Sequence, residues 1–273
     1  MTFISYAQNF EDIRLWRALK FFENGFYIDV GANDPSVDSV TRAFYERGWR
    51  GINIEPAQAF HDALCEHRPN DTNLRCAAGD GEKELTFYDI PGTGLSTLDA
   101  DLARTHKDAG YDVQTKVIKS RTLRSICEEH APKTIHFLKI DVEGHEESVL
   151  RGMDFSKWRP WIVLVETPFD RSPTWERIIT EASYRFIQFD GLNSFYLAEE
   201  HLNLIGAFET PPSFLDEFKL CYGHHFSFPV GELENALAAE KQRANQAEAE
   251  LLALKQSRSW RVVQVFRAML GRR

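Results

Sequence analysis

Residues Gly25 to Pro56, GFYIDVGANDPSVDSVTRAFYERGWRGINIEP, carry the most telling pattern in this chain. The apolar run Phe26-Tyr27-Ile28 leads through Asp29 and Val30 into a glycine turn, Gly31-Ala32-Asn33. A helix-like segment follows, and a second buried-strand pattern, Gly51-Ile52-Asn53-Ile54, closes on the acid Glu55. Strand, glycine turn, helix, strand and acid make the layout of a nucleotide-cofactor site at the edge of a parallel sheet. Gly31 lets the backbone approach a ligand closely, and Glu55 can accept hydrogen bonds from two ribose hydroxyls. Only one glycine of the dinucleotide pattern G-x-G-x-x-G is present, which argues against a pyrophosphate guest. A smaller nucleoside cofactor such as S-adenosylmethionine fits better.

Strand-like and helix-like patterns alternate on either side of this stretch, which predicts a mostly parallel sheet with helices on both faces. Helices are expected around Ala59 to Glu66, Thr122 to His130 and His145 to Arg151. Strands are expected near Asn73 to Ala77, over Thr134 to Ile140 and over Trp161 to Glu166, with a hairpin-like piece at Glu84 to Tyr88. Residues 90–114, rich in Gly, Asp and Thr, read as a long loop or lid. The pair Arg185 to Phe189 and Ser194 to Leu197 reads as an antiparallel hairpin across the sheet edge.

The chain of 273 residues is 43% hydrophobic, ample for one large α/β domain with an appendage. Its net charge of -9 argues against a nucleic-acid partner, for which a basic footprint is expected. Four scattered cysteines without a C-x-x-C pair read as reduced thiols. The N-terminus lacks the basic and apolar regions of a signal peptide, and no window approaches a membrane span. Together these features predict a cytoplasmic protein.

Pro229 and Gly231 mark a boundary, so the expected domains are 1–228 and a helical tail, 229–273. In the tail, apolar residues recur at Leu237, Ala244 and Leu251, and at Ala247 and Leu254, the spacing of a coiled coil that could join a homo-oligomer. The last stretch, SRSWRVVQVFRAMLGRR, plots as an amphipathic helix. From Lys255 onward there are six Lys or Arg residues and no acid. That pattern suits the surface of an anionic membrane, peripheral contact at the inner membrane face, or docking on another protein such as a glycosyltransferase.

Four blocks resemble one known family: the opening SYAQNFEDIRLWRAL, the Gly25–Pro56 stretch, GLST at Gly94 to Thr97, and FLKIDVEGHEESVLRGMDF from Phe137 to Phe155. In order and spacing, from about Ser5 to Tyr196, they are similar to FkbM-family methyltransferases. The resemblance implies a Rossmann-like class I methyltransferase with a seven-stranded sheet, S-adenosylmethionine as cofactor, and O-methylation. Members with this opening often act on sugars of bacterial surface polysaccharides or lipopolysaccharide, which makes a sugar or glycan the expected acceptor. The segment SRSWRVV also resembles the S-x-SWR element that closes many bacterial polysaccharide-assembly proteins, though the Pro-Leu-Arg expected after it is absent. A natural-product or peptide-carboxylate acceptor, or a non-catalytic scaffold recruiting glycosyltransferases, are the alternatives.

For the cofactor, Gly31 and Glu55 are joined by Asp29 and Asn33, which would fix the turn and reach the amino-acid end. Cys76 to Asp80, with Ala78, resembles the wall of an adenine pocket, and Gln8 resembles a residue that closes over the cofactor. Removing a proton from an alcohol calls for a base, and the candidates cluster at Lys139-Ile140-Asp141-Val142-Glu143-Gly144-His145-Glu146. Strand alternation puts Lys139 and Asp141 on one face. His145 is the natural general base. Asp141 would orient the cofactor's sulfonium end or the acceptor hydroxyl, and Glu166 would contact the acceptor or support His145. Lys139 is expected to pair with these acids, and Ser96 and Thr97 to offer hydroxyls to the site. Asp141, Glu143, His145 and Glu166 could hold a divalent ion, but their spacing matches no dedicated signature and no metal is assigned.

Overall fold

The computed structural model describes residues 2–167, 173–227 and 230–271. In chain order the elements are β1 (Phe3–Ser5), α1 (Glu11–Leu19), β2 (Phe26–Val30), α2 (Arg42–Tyr45), β3 (Arg50–Ile54), α3 (Gln58–His67), β4 (Thr72–Leu74) and β5 (Ala77–Ala78). They continue with β6 (Lys83–Asp89), α4 (Ala100–Asp108), β7 (Gln114–Arg121), α5 (Leu123–His130), β8 (Phe137–Ile140), α6 (Glu146–Arg151) and β9 (Ile162–Glu166). The last are α7 (Glu176–Glu181), β10 (Tyr184–Phe189), β11 (Asn193–Ala198), β12 (Phe218–Leu220), α8 (Val230–Gln256) and α9 (Arg258–Leu270).

β2, β8 and β9 are central strands: apolar side chains dominate both their faces, and the buried Asp29 and Lys139 lie beside one another. All three strands lie in a seven-stranded sheet of order β10-β11-β9-β8-β2-β3-β4. One face packs Ile28, Ile52, Leu138 and Val163 against α5, α6 and α7. The other packs Tyr27, Phe137 and Leu164 against Leu15 and Leu19 of α1 and Phe44 of α2. Pairing is parallel from β9 through β8, β2 and β3 to β4, but antiparallel at β11. The sheet is therefore mixed, and the expected antiparallel hairpin, β10 with β11, forms at its edge. Its second strand, β11, lies between β9 and β10, and all six of its residues are buried. Asn193 to Ala198 carry bulky apolar side chains on both faces, which an edge position would leave wet.

The expected loop at 90–114 is corrected. It holds α4, whose N-cap Asp99 accepts from the backbone of Asp101 and Leu102. β6 and β7 flank this excursion as an antiparallel pair, with β5 beside β7 in a separate three-stranded sheet. At the N-terminus, Arg17 grips Asp216 with a two-pronged contact at 2.7 and 2.8 Å and fixes the covering segment to α1.

The chain divides into two compact units, Met1–His224 and His225–Arg273. The boundary expected at 228/229 lies outside the described residues. In the second unit, α8 and α9 are separated by Ser257, whose hydroxyl caps α9 through the Trp260 N–H.

Candidate functional site

The order of strand addition reverses about β2, with β3 on one side and β8 on the other, and ligands of open α/β sheets bind at such a switch point. Here lies a cleft partly open to solvent. One wall is built from the ends of β2 and β3. Gly31 has φ +75°, and a Cβ on it would stand 1.7 Å from the carbonyl oxygen of Asp141. Only glycine allows both the left-handed turn and this contact between the turns after β2 and β8. Asn33, also left-handed at φ 49°, donates its backbone N–H to Glu55 Oε2 at 2.9 Å. Glu55 Oε1 accepts from the Ala57 N–H at 2.7 Å. Burial raises the Glu55 carboxyl to about 7 against the pull of these two peptide dipoles.

Another part of the wall is the turn after β8, where Asp141, Val142 and Glu143 line the cleft; Glu166, at the end of β9, lies beside them but is not among the lining residues. Asp141, Glu143 and Glu166 bring one carboxylate oxygen each within 4.8 Å of one another. Lys139 is buried beneath them, donating to the Gly31 carbonyl at 2.7 Å and lying 3.2 Å from Asp141 and 3.3 Å from Asp29. Burial alone would lower its pKa, but Asp141 and Asp29 outweigh that and hold the ammonium charged. Burial likewise opposes ionisation of Asp141, yet Lys139 and a hydrogen bond with Glu166 bring it below the usual carboxylate range. Glu166 is pushed up by burial and by Asp141, so it carries the proton this pair shares. Glu143 is raised to about 7 by burial and by its acidic neighbours Asp141 and Glu146. The alternation argument for Lys139 and Asp141 holds in space.

The strand then ends. Glu143 and Gly144 both take positive φ, 51° and 95°, and the chain swings round. His145 emerges at the N-cap of α6 with its ring toward Gly79: a Cβ on Gly79 would lie 3.6 Å from His145 Nε2. Burial lowers the His145 pKa, and the charges acting on it are Asp80, Lys83 and Asp99. The structure thus does not bring His145 into the cluster of Asp141, Glu143 and Glu166, and it is not among the residues lining the cleft.

Gly31, Asn33, Glu55, Ala78 and Asp141 do line the cleft, while Asp29 and Gln8 do not. Asp29 is buried on the α1 side, accepting from the Thr41 hydroxyl at 2.7 Å. Arg68 then reaches Thr41, Ser39 and the Pro35 carbonyl, so Asp29 supports the Asn33–Thr41 segment from below. Gln8 is exposed. Gly94, Ser96 and Thr97 of the GLST block form the outer rim. Thr97 donates to the Glu143 carbonyl at 2.6 Å, and its backbone pairs with Tyr88. Phe60 and Phe87, which sequence reasoning missed, supply apolar lining beside Cys76 and Ala77. The placement of Phe60 one helical turn past Glu55-Pro56 was the available signal.

Residues 29–190 match the Methyltransferase FkbM domain. The chain belongs to the FkbM methyltransferase family. Among solved structures it is similar to methyltransferase FkbM from Methylobacillus flagellatus KT, at 16% identity and TM-score 0.41 over 64% of this chain. The match spans 44% of that protein's length. A TehB-like SAM-dependent methyltransferase from Corynebacterium glutamicum ATCC 13032 Kitasato matches at 8% identity and TM-score 0.38, over 69% of this chain and 88% of that one. An O-methyltransferase from Bacillus cereus in complex with SAH matches at 12% identity and TM-score 0.33, over 68% of this chain and 78% of that one. No curated protein matches the sequence.

The cleft of this FkbM-family protein fits the cofactor. Asn33 Oδ1 is buried there without a partner, as an acceptor awaiting a donor would be. Glu55 keeps lone pairs beyond those used by Asn33 and Ala57. Asn33 and Glu55 would hold the polar groups, and Phe60, Phe87 and Ala78 the apolar ring.

Proposed function

We propose that this protein is an O-methyltransferase whose acceptor is a sugar hydroxyl of a bacterial surface glycan. The observation that carries the O-methyl reading is the carboxylate cluster of Asp141 and Glu143, which line the cleft, with Glu166 beside them, its members held in different protonation states. Bound S-adenosylmethionine supplies an electrophilic methyl carbon on a sulfonium. The protein's own work is to seat a hydroxyl and take its proton. Glu143, raised to about 7, is suited to take a proton near neutral pH. Asp141, kept ionised by Lys139, accepts a hydrogen bond from the incoming hydroxyl, and protonated Glu166 holds Asp141 in place. Glu143 therefore replaces His145 as the proposed base, since His145 faces Gly79. The glycan part of the reading is supported by the opening SYAQNFED block and the S-x-SWR segment.

The test begins with calorimetric titration by S-adenosylmethionine and S-adenosylhomocysteine. Binding in the micromolar range, lost in Glu55→Ala, is expected. Labelled methyl transfer to nucleotide sugars, lipid-linked oligosaccharides and polymeric glycans follows. Glu143→Gln should lower turnover by about 10²–10⁴-fold with cofactor affinity unchanged. Unchanged turnover in that variant would remove Glu143 as the base. Methylation confined to natural-product or peptide-carboxylate acceptors would overturn the glycan reading, and cofactor binding without any turnover would favour a scaffold.

A further inference from the structure

We infer that α9 is an interfacial helix that lies in the surface of an anionic lipid bilayer. At about 100° per residue, its apolar side chains run round the helix in the order Val265, Met269, Val262, Phe266, Leu270, Val263, an arc of about 160°. All six are exposed, Phe266 at 62% and Leu270 at 75%. A helix stripe this wide and this apolar is normally covered. Arg261 falls about 40° beyond one margin of the arc and Arg267 about 40° beyond the other. Arg258, in the first turn, falls within the arc near its Val265 margin, and α9 carries no acid. Basic side chains on both margins of an apolar arc can reach phosphate headgroups while the arc enters the acyl boundary.

Length agrees with lying flat. Thirteen residues rise about 20 Å, short of the hydrocarbon thickness. Among the described residues, no helix is long and apolar enough to cross a membrane. A second copy of α9 is a poor occupant of the arc, because its margins would set arginine against arginine with no acid to pair. The net charge of -9 on the whole chain also repels an anionic surface, so attraction must come from a local basic element, which α9 supplies.

The experiment is co-sedimentation of the full-length protein with vesicles of phosphatidylcholine, alone or mixed with phosphatidylglycerol. Binding to the mixed vesicles should exceed binding to neutral ones by at least about tenfold and weaken with salt. Val263→Asp with Phe266→Asp should abolish it. Arg261→Ser with Arg267→Ser should erase the preference for phosphatidylglycerol. Cofactor affinity serves as the folding control and should stay at the wild-type value in all variants. Equal sedimentation with and without vesicles, or vesicle binding untouched by Phe266→Asp, overturns the inference. So does a change of oligomeric mass caused by the aspartates in a protein that ignores vesicles, which would make a second copy the occupant.

Discussion

The ends of β3 and β8 carry a buried and a half-buried acid across one cleft, Glu55 and Asp141, but they restrain them by different means. Glu55 is held by two peptide N–H groups, which are part of the backbone and cannot titrate away. Asp141 is held by the ammonium of Lys139 and by the shared proton of Glu166, and both depend on other side chains. A carboxylate fixed by peptide dipoles suits a constant ligand such as a cofactor. One balanced among other titrating groups suits a step in which a proton moves. The cleft thus has a static wall and a responsive one.

Lys139 is where this contrast is most easily broken. Lys139→Met leaves Asp29 buried without its cation and frees Asp141 to take up a proton. A stability loss of about 3–5 kcal/mol is expected in chemical denaturation. The acid limb of the pH–rate profile should also move upward. If that limb stays in place, Asp141 does not owe its charge to Lys139, and the second wall is no more responsive than the first.

Gly31→Ala tests whether the walls can be separated at all. The new Cβ would strike the Asp141 carbonyl and sit at unfavourable φ, costing about 2–4 kcal/mol and weakening cofactor binding together with turnover. Loss of one property alone, read by calorimetry beside turnover, would show that the walls move independently.

The smallest effect concerns the static wall and pH. Folded Glu55 keeps its proton to about pH 7, whereas the unfolded chain releases it near 4.5. Between those values the native state binds more protons, so this group's contribution to stability declines as pH rises. Glu55→Gln should flatten the decline by up to about 1.4 kcal/mol per pH unit, measured as denaturation midpoints from pH 4.5 to 7. An unchanged slope would mean that Glu55 titrates as an ordinary surface acid.

The static wall was legible in the sequence because its parts are local: Gly31, Asn33 and Glu55 all lie within the strand-turn-helix-strand unit that names them. The second wall was half legible. Alternation joined Lys139 to Asp141, but period-two reasoning ends where a backbone turns left-handed, and positive φ at Glu143 and Gly144 carried His145 away. Asp29 stands apart for the opposite reason: regular alternation along β2 sets it on the face away from Ile28 and Val30, under the Thr41 hydroxyl. The helix α4 was hidden in polar composition, and the insertion of β11 between β9 and β10 is a tertiary choice that no local window records.

Thr97 ties the outer rim to the peptide of Glu143 with one hydroxyl hydrogen bond, while its backbone is anchored to Tyr88. Any guest that prises the rim outward would pull on the residue proposed to deprotonate it. Admission and reactivity are therefore geared together, and the gearing works as a gauge. An acceptor that seats without displacing Thr97 would leave the Glu143 peptide where it stands, whereas one that displaces Thr97 would move it.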